Sequence, residues 1–115
     1  MSEKIYDLKD RTFKFAQRIM DISEILSDKP QYDILRKQLT KAGTSIGANV
    51  EEADGTITKK DFVNKMAIAR KEAKETRYWL RLISGKYLEE EEINPDINEC
   101  QELIYILSSI INKSK

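Results

Sequence analysis

Apolar residues recur every three or four positions along almost the whole chain, and the recurrence breaks only where glycine, proline or an Asp-Gly pair intervenes. The first stripe is Leu8, Thr12, Phe15, Ile19, Ile22 and Leu26. The second is Leu35, Leu39, Ala42, Ile46, Val50 and Ala53. The third is Phe62, Met66, Ala69, Ala73, Thr76, Leu80 and Ile83, and the fourth is Ile97, Cys100, Ile104, Leu107 and Ile111. Each such stripe lies along one face of an α-helix and has to be buried against another element. No segment alternates with period two over a useful length, so strands are not expected.

The punctuation agrees with the stripes. Asp28-Lys29-Pro30 closes the first helix, Asp54-Gly55 the second, and Gly85 follows the third as a C-terminal cap. Asn94-Pro95 reads as the N-cap and first position of the fourth helix. Thr58 and Asp61 form a capping-box variant at the start of the third. The spacing predicts helices over 5–28, 31–54, 59–84 and 95–112 in one domain covering 1–115, with frayed ends at 1–4 and 112–115. Connections this short make successive helices run in opposite directions. The predicted fold is therefore all-α, an antiparallel up-and-down four-helix bundle.

Charge and composition narrow the chemistry. The 115 residues include 20 Lys/Arg and 20 Asp/Glu, for zero net charge, which argues against a protein that coats nucleic acid by phosphate neutralisation. The charges are segregated, however: residues 56–86 carry nine basic residues against three acids, and residues 88–102 carry seven acids and no base. With no histidine, His-based nucleophile triads, Cys/His zinc sites, His-ligated haem and Glu-x-x-His di-iron sites are excluded. The single Cys100 forbids an internal disulfide and reads as a small core residue. Gly43 and Gly47 lie inside a helical pattern and no Gly-Lys-Ser/Thr follows, so there is no phosphate-binding loop. Glu51, Glu52 and Asp54, and Glu72 with Glu75, read as solvated or salt-bridged acids rather than metal ligands, and Glu89–Glu92 as a solvated loop. Met1-Ser2-Glu3-Lys4 begins no apolar leader, and no apolar run approaches a membrane span, so a cytoplasmic protein is expected. No catalytic residue, cofactor, metal or small-molecule substrate is predicted.

Several residues exceed what a lone bundle requires. Phe13 and Met20 sit together about 130° from the first stripe, and Ile68 and Trp79 about 100° from the third. Leu103, Ile106 and Ile110 widen the apolar arc of the fourth helix. A second stripe on three helices points to self-association, with Phe13, Met20, Ile68 and Trp79 as interface candidates. Gly43 and Gly47, four apart on one face, imply close approach of a neighbouring helix, since each costs about 1 kcal/mol in a helix relative to Ala. Asn49 lies near the second stripe. It is read as a structural amide paired with Thr76 or Glu75. Arg70, Lys74, Arg77 and Arg81, spaced i, i+4, i+7, i+11, form a basic ridge on the third helix, with Lys59 and Lys60 at its start. Pairing with the acids of 88–102 is one use of that ridge, and RNA or DNA contact is the other.

Gly43-Thr-Ser-Ile-Gly-Ala-Asn-Val-Glu-Glu-Ala53, Lys60-Asp-Phe62 and Ile68-Ala-Arg-Lys-Glu-Ala-Lys-Glu-Thr-Arg-Tyr-Trp-Leu-Arg-Leu82 closely resemble the bacterial family of four-helix-bundle proteins encoded within intervening sequences of 23S ribosomal RNA genes. The resemblance covers nearly the whole chain. Much of the family carries Ala-Glu-Gly after the Asn, where Glu51-Glu52-Ala53 stands here. The family is similar in fold to the accessory variability protein of diversity-generating retroelements, a barrel-shaped homopentamer that works with a reverse transcriptase and nucleic acid. The resemblance thus implies a bundle that is a subunit of a ring-like homo-oligomer, with a pentamer favoured, and RNA or DNA contact. It implies no activity. That relative is basic, whereas this chain is neutral. The expected function is a non-enzymatic binding or assembly protein whose first partner is itself. The alternative is an accessory protein that binds RNA or DNA through Lys59, Lys60, Arg70, Lys74, Arg77 and Arg81.

Overall fold

The structure, a computed structural model, describes residues 3–26 and 30–115. Four long helices account for most of it: α1 (Glu3–Ile25), α2 (Asp33–Asp54), α3 (Lys59–Ile83) and α4 (Glu90–Lys113). A 3-10 turn at Pro30–Tyr32 leads into α2. Among the described residues the sole β pairing is a bridge between Ser84 and Leu88 in the α3–α4 connection. The expected end of the first helix at Asp28-Lys29 lies outside the described residues.

The core is made of the four stripes. Leu8, Ile19, Ile22, Leu39, Ile46, Met66, Leu80, Ile83, Leu103 and Leu107 are fully buried, each contributing about 1.5–3 kcal/mol of transfer free energy. Consecutive helices pack together, α1 approaches α4 over the shortest stretch, and among the described residues no Cα of α1 comes within 8 Å of α3, nor any of α2 within 8 Å of α4. Lys9, early in α1, reaches Asp54 at the end of α2 at 3.0 Å, whereas Ser23, late in α1, meets Thr40, early in α2, at 2.8 Å. Lys65, early in α3, reaches Glu52, late in α2. Arg70 meets Ser108 and Arg77 meets Gln101 across α3 and α4, so rising numbers on one helix meet falling numbers on the next.

Two local features decide how closely the helices approach. A Cβ built on Gly43 would lie 2.6 Å from Cγ2 of Ile19, and one on Gly47 would lie 3.2 Å from Oγ1 of Thr12. The α1–α2 contact is therefore drawn in over two turns by the missing side chains. Thr12 stays buried by donating its hydroxyl to the Leu8 carbonyl at 2.8 Å. After α3, Ser84 (φ −62°, ψ 125°) and Gly85 (φ 78°) have the backbone of a type II turn, closed by Lys86 N–H to Ile83 O at 3.2 Å. A positive φ there is why that position holds glycine.

The fourth helix departs from expectation. Asn94 is not its N-cap and Pro95 is not its first residue: α4 starts at Glu90 with Glu89 as N-cap, and Pro95 lies inside it. Ile93 is fully buried and extends the fourth stripe one step upstream, at the 93, 97, 100 spacing. That burial carries the helix back through the first turn. Glu90, Glu91 and Glu92 then sit at the positive end of the helix dipole, where carboxylates are stabilising. Glu89–Glu92 is thus a helix start rather than a loop. α3 begins with Thr58 accepting from Asp61 N–H at 3.1 Å, the forward half of the capping box.

Candidate interaction surfaces

The basic ridge runs for about 16 Å along α3 at 1.5 Å per residue. Lys74 and Arg81 are exposed, while Arg70 and Arg77 are half-buried against α4. Their guanidinium groups donate to neutral oxygens, Ser108 Oγ at 3.4 Å and Gln101 Oε1 at 3.0 Å. None of Arg70, Lys74, Arg77, Arg81, Lys59 and Lys60 joins an ion pair among the described residues.

Two of the seven acids that the sequence offers as ridge partners are engaged elsewhere. Arg11 grips Glu99 with two bonds, at 2.6 and 3.0 Å, and Arg18 grips the buried Asp96 at 2.9 and 3.2 Å. These bidentate clasps tie α1 to α4 and raise the pKa of both arginines, chiefly through the hydrogen bonds to the carboxylates. The sequence reading missed both. The available signal was a match of registers: Arg11 and Arg18 are seven apart on one face of α1, and Asp96 and Glu99 three apart on α4. The acids at the end of α2 are engaged too. Glu51 and Asp54 hold Lys9, whose pKa rises mainly through its hydrogen bond to Asp54, and Glu52 holds Lys65. No group of three or more metal-ligating side chains converges among the described residues.

The polar residues of the middle are less connected than expected. Asn49 donates its amide to Ser45 O of its own helix at 2.8 Å, and Thr76 donates to Glu72 O at 2.7 Å. Glu75 accepts from the Trp79 indole at 3.4 Å. No hydrogen bond joins Asn49 to Thr76 or Glu75 among the described residues. Each of these side chains pairs within its own helix, Asn49 and Thr76 one turn back and Glu75 one turn forward. Cys100 is buried and donates to Ala73 O at 3.1 Å, and its burial pushes the thiol pKa up to about 12.

The apolar excess divides into two kinds. Phe13 is 61% exposed and Met20 51%, side by side on α1, and Ile68 is 39% exposed on α3 with Tyr78 and Leu82 also exposed. Trp79, by contrast, is half-buried against the core, edge-on to Tyr78 at 5.4 Å. On α4, Leu103 is fully buried, and Ile106 and Ile110 pack partly against the core. The wide arc of that helix therefore serves the interior more than an outer face. Among the described residues no helix is long and apolar enough to cross a membrane.

The model of the 23S rRNA-intervening sequence protein family matches residues 4–109. In structure the chain is similar to a protein of unknown function from the S23 ribosomal protein family of Bacteroides thetaiotaomicron. The two share 38% identity and superpose with a TM-score of 0.87, covering 95% of this chain and 98% of the other. No curated protein matches the chain in sequence.

Proposed function

Because the chain belongs to the 23S rRNA-intervening sequence protein family, we propose that it is a non-enzymatic, antiparallel up-and-down bundle that works as one subunit of a ring-like homo-oligomer, a pentamer. The observation that carries the reading is the placement of its exposed apolar residues. Of the nine large apolar side chains exposed among the described residues, five make two groups, Phe13 and Met20 on α1 and Ile68, Tyr78 and Leu82 on α3; the other four are Ile25, Ile34, Ile57 and Tyr105. Among the described residues no Cα of α1 comes within 8 Å of α3, so the two helices stand diagonally across the bundle and their exposed faces lie on different sides of it. Two unlike faces on opposite sides of a subunit make a heterologous contact, and a heterologous contact that closes gives a ring. Aromatic and Met side chains suit the centre of such an interface, and Lys71, Glu72 and Glu75 around Ile68 supply a polar rim. The paired substitution Phe13→Asp/Ile68→Asp tests this. It lowers the mass in light scattering and leaves the helical circular dichroism of the bundle in place. An unchanged mass would remove these faces from the interface.

A specific observation also favours a second reading, in which the oligomer contacts RNA or DNA through the α3 ridge. Two of the seven acids of 88–102, Asp96 and Glu99, are committed to Arg18 and Arg11 on α1, and among the described residues Arg70, Lys74, Arg77 and Arg81 join no ion pair. Four phosphate contacts per subunit give a slope of about −3 to −4 in log affinity against log salt. Arg77→Glu/Arg81→Glu should abolish most of it. No detectable binding of structured RNA or duplex DNA at low salt would eliminate this reading.

A further inference from the structure

Among the described residues the α1–α4 seam is clasped at one end and not at the other. Arg11–Glu99 and Arg18–Asp96 fasten it from the middle of α1 onward. Towards the start of α1 and the end of α4 no such clasp exists among the described residues. There the two helices leave a cleft of about 610 Å³ that reaches through to α3. Its apolar lining is Ile5 and Leu8 from α1, Phe62 from α3, and Ile106 and Ile110 from α4. Its volume falls within the range of small-ligand sites, about 300–1,000 Å³.

The polar groups are arranged with a direction. Lys59, the first residue of α3, and Lys113, the last of α4, line the cleft at the outer end of the bundle. Neither takes part in an ion pair among the described residues. Phe62 and Ile110 lie one turn further in, and Ile106 two turns. At the inner limit Arg11 is already bound by Glu99. The other polar lining residues are Asp7 on α1, Ser109 on α4 and Ser114 just after it. An acidic peptide helix would require cations along both rims. Two unengaged cations at the mouth of an apolar throat suit a different occupant, with one anionic head and one hydrocarbon chain.

We propose that this cleft binds a single-chain anionic amphiphile, a medium-chain fatty carboxylate, with its head group between Lys59 and Lys113 and its chain against Phe62, Leu8, Ile106 and Ile110. The cleft shares no lining residue with the outward faces of α1 and α3 invoked for assembly, so failure of that assembly would leave it intact.

Dodecanoate is the probe, titrated calorimetrically into the full chain below its micellar concentration, with dodecanol and butyrate as comparisons. Dodecanoate should bind, dodecanol at least about tenfold more weakly for want of the charge-assisted contacts, and butyrate not measurably. Lys59→Glu/Lys113→Glu, two surface changes that leave the core intact, should weaken dodecanoate at least about tenfold. Amide chemical shifts should move at Leu8, Phe62, Ile106 and Ile110. The proposal is overturned by the absence of binding, by equal affinity for dodecanol, by unchanged affinity in the charge-reversed variant, or by shifts centred on Phe13 and Met20. It is overturned equally if a second copy of the chain is found to occupy the cleft and exclude dodecanoate.

Discussion

Replacing Gly43 with alanine sets two physical effects of similar size against each other. Alanine is the better helix former, by about 1 kcal/mol, and Gly43 lies in the interior of α2, so local propensity alone predicts a more stable protein. The contact with α1 predicts the opposite. The new methyl would lie 2.6 Å from Cγ2, 2.8 Å from Cγ1 and 3.0 Å from Cβ of Ile19. Those atoms belong to the stiff, branched root of a fully buried side chain, which has no spare rotamer to move into. Overpacking of this kind costs about 1–3 kcal/mol. The net expectation is a loss of about 1 kcal/mol, a fall of about 4 °C in Tm for a chain of this size. Gly47→Ala is the internal control. Its nearest obstacle is the Thr12 hydroxyl at 3.2 Å, so the propensity gain should roughly offset the contact. Ile19→Ala alone should cost about 2–5 kcal/mol. In combination with Gly43→Ala it should cost about 1 kcal/mol less than the sum, because the added methyl enters the space the isoleucine vacates. Urea unfolding at one fixed protein concentration measures all four. A stabilised Gly43→Ala, or additivity of the pair, would refute the close-approach argument.

Three further outcomes follow from single sites. The Cys100 thiol, held protonated by burial well above its ordinary pKa of 9.0, contributes stability that is fully present below pH 9 and declines as pH rises towards 12. The decline is at most about 1.4 kcal/mol per pH unit. Cys100→Ala should flatten that alkaline limb of the stability profile, and the native thiol should resist alkylation at pH 8; rapid labelling would contradict its placement. Thr58→Ala removes the cap on α3 and should cost about 1 kcal/mol in urea unfolding, whereas Thr58→Ser should cost much less. Pro95→Ala restores an N–H that α4 lacks and should stabilise the chain by about 1 kcal/mol, less than at a mid-helix position because proline is best tolerated near a helix start. A destabilised Pro95→Ala would mean that the ring packs usefully against a neighbour.

The helices were legible because each stripe is continuous and the breaks coincide with glycine and proline. The start of α4 was misplaced because Asn94-Pro95 is a strong local signal, and a single buried residue upstream, Ile93, outweighs it. Local propensity yields to burial when the two conflict. The ridge on α3 was legible as geometry, since i, i+4, i+7, i+11 fixes a line on a helix. Its electrostatic surroundings were not, because they depend on the direction taken by Asp96 and Glu99, which rests on how α1 lies across α4. Asn49 illustrates the same limit. Its angular position near the stripe follows from the sequence, but its partner does not, and the carbonyl one turn back competes with any partner on another helix. The cleft was equally hidden: Ile106 and Ile110 read as an outward stripe until the open half of the seam is seen to receive them.

The claim that this bundle is a subunit is tested by the mass of the native chain in solution. Multi-angle light scattering at micromolar concentration should return a single species near five times the 13.4 kDa chain. A species at 13.4 kDa, unchanged over a tenfold rise in concentration, would contradict it.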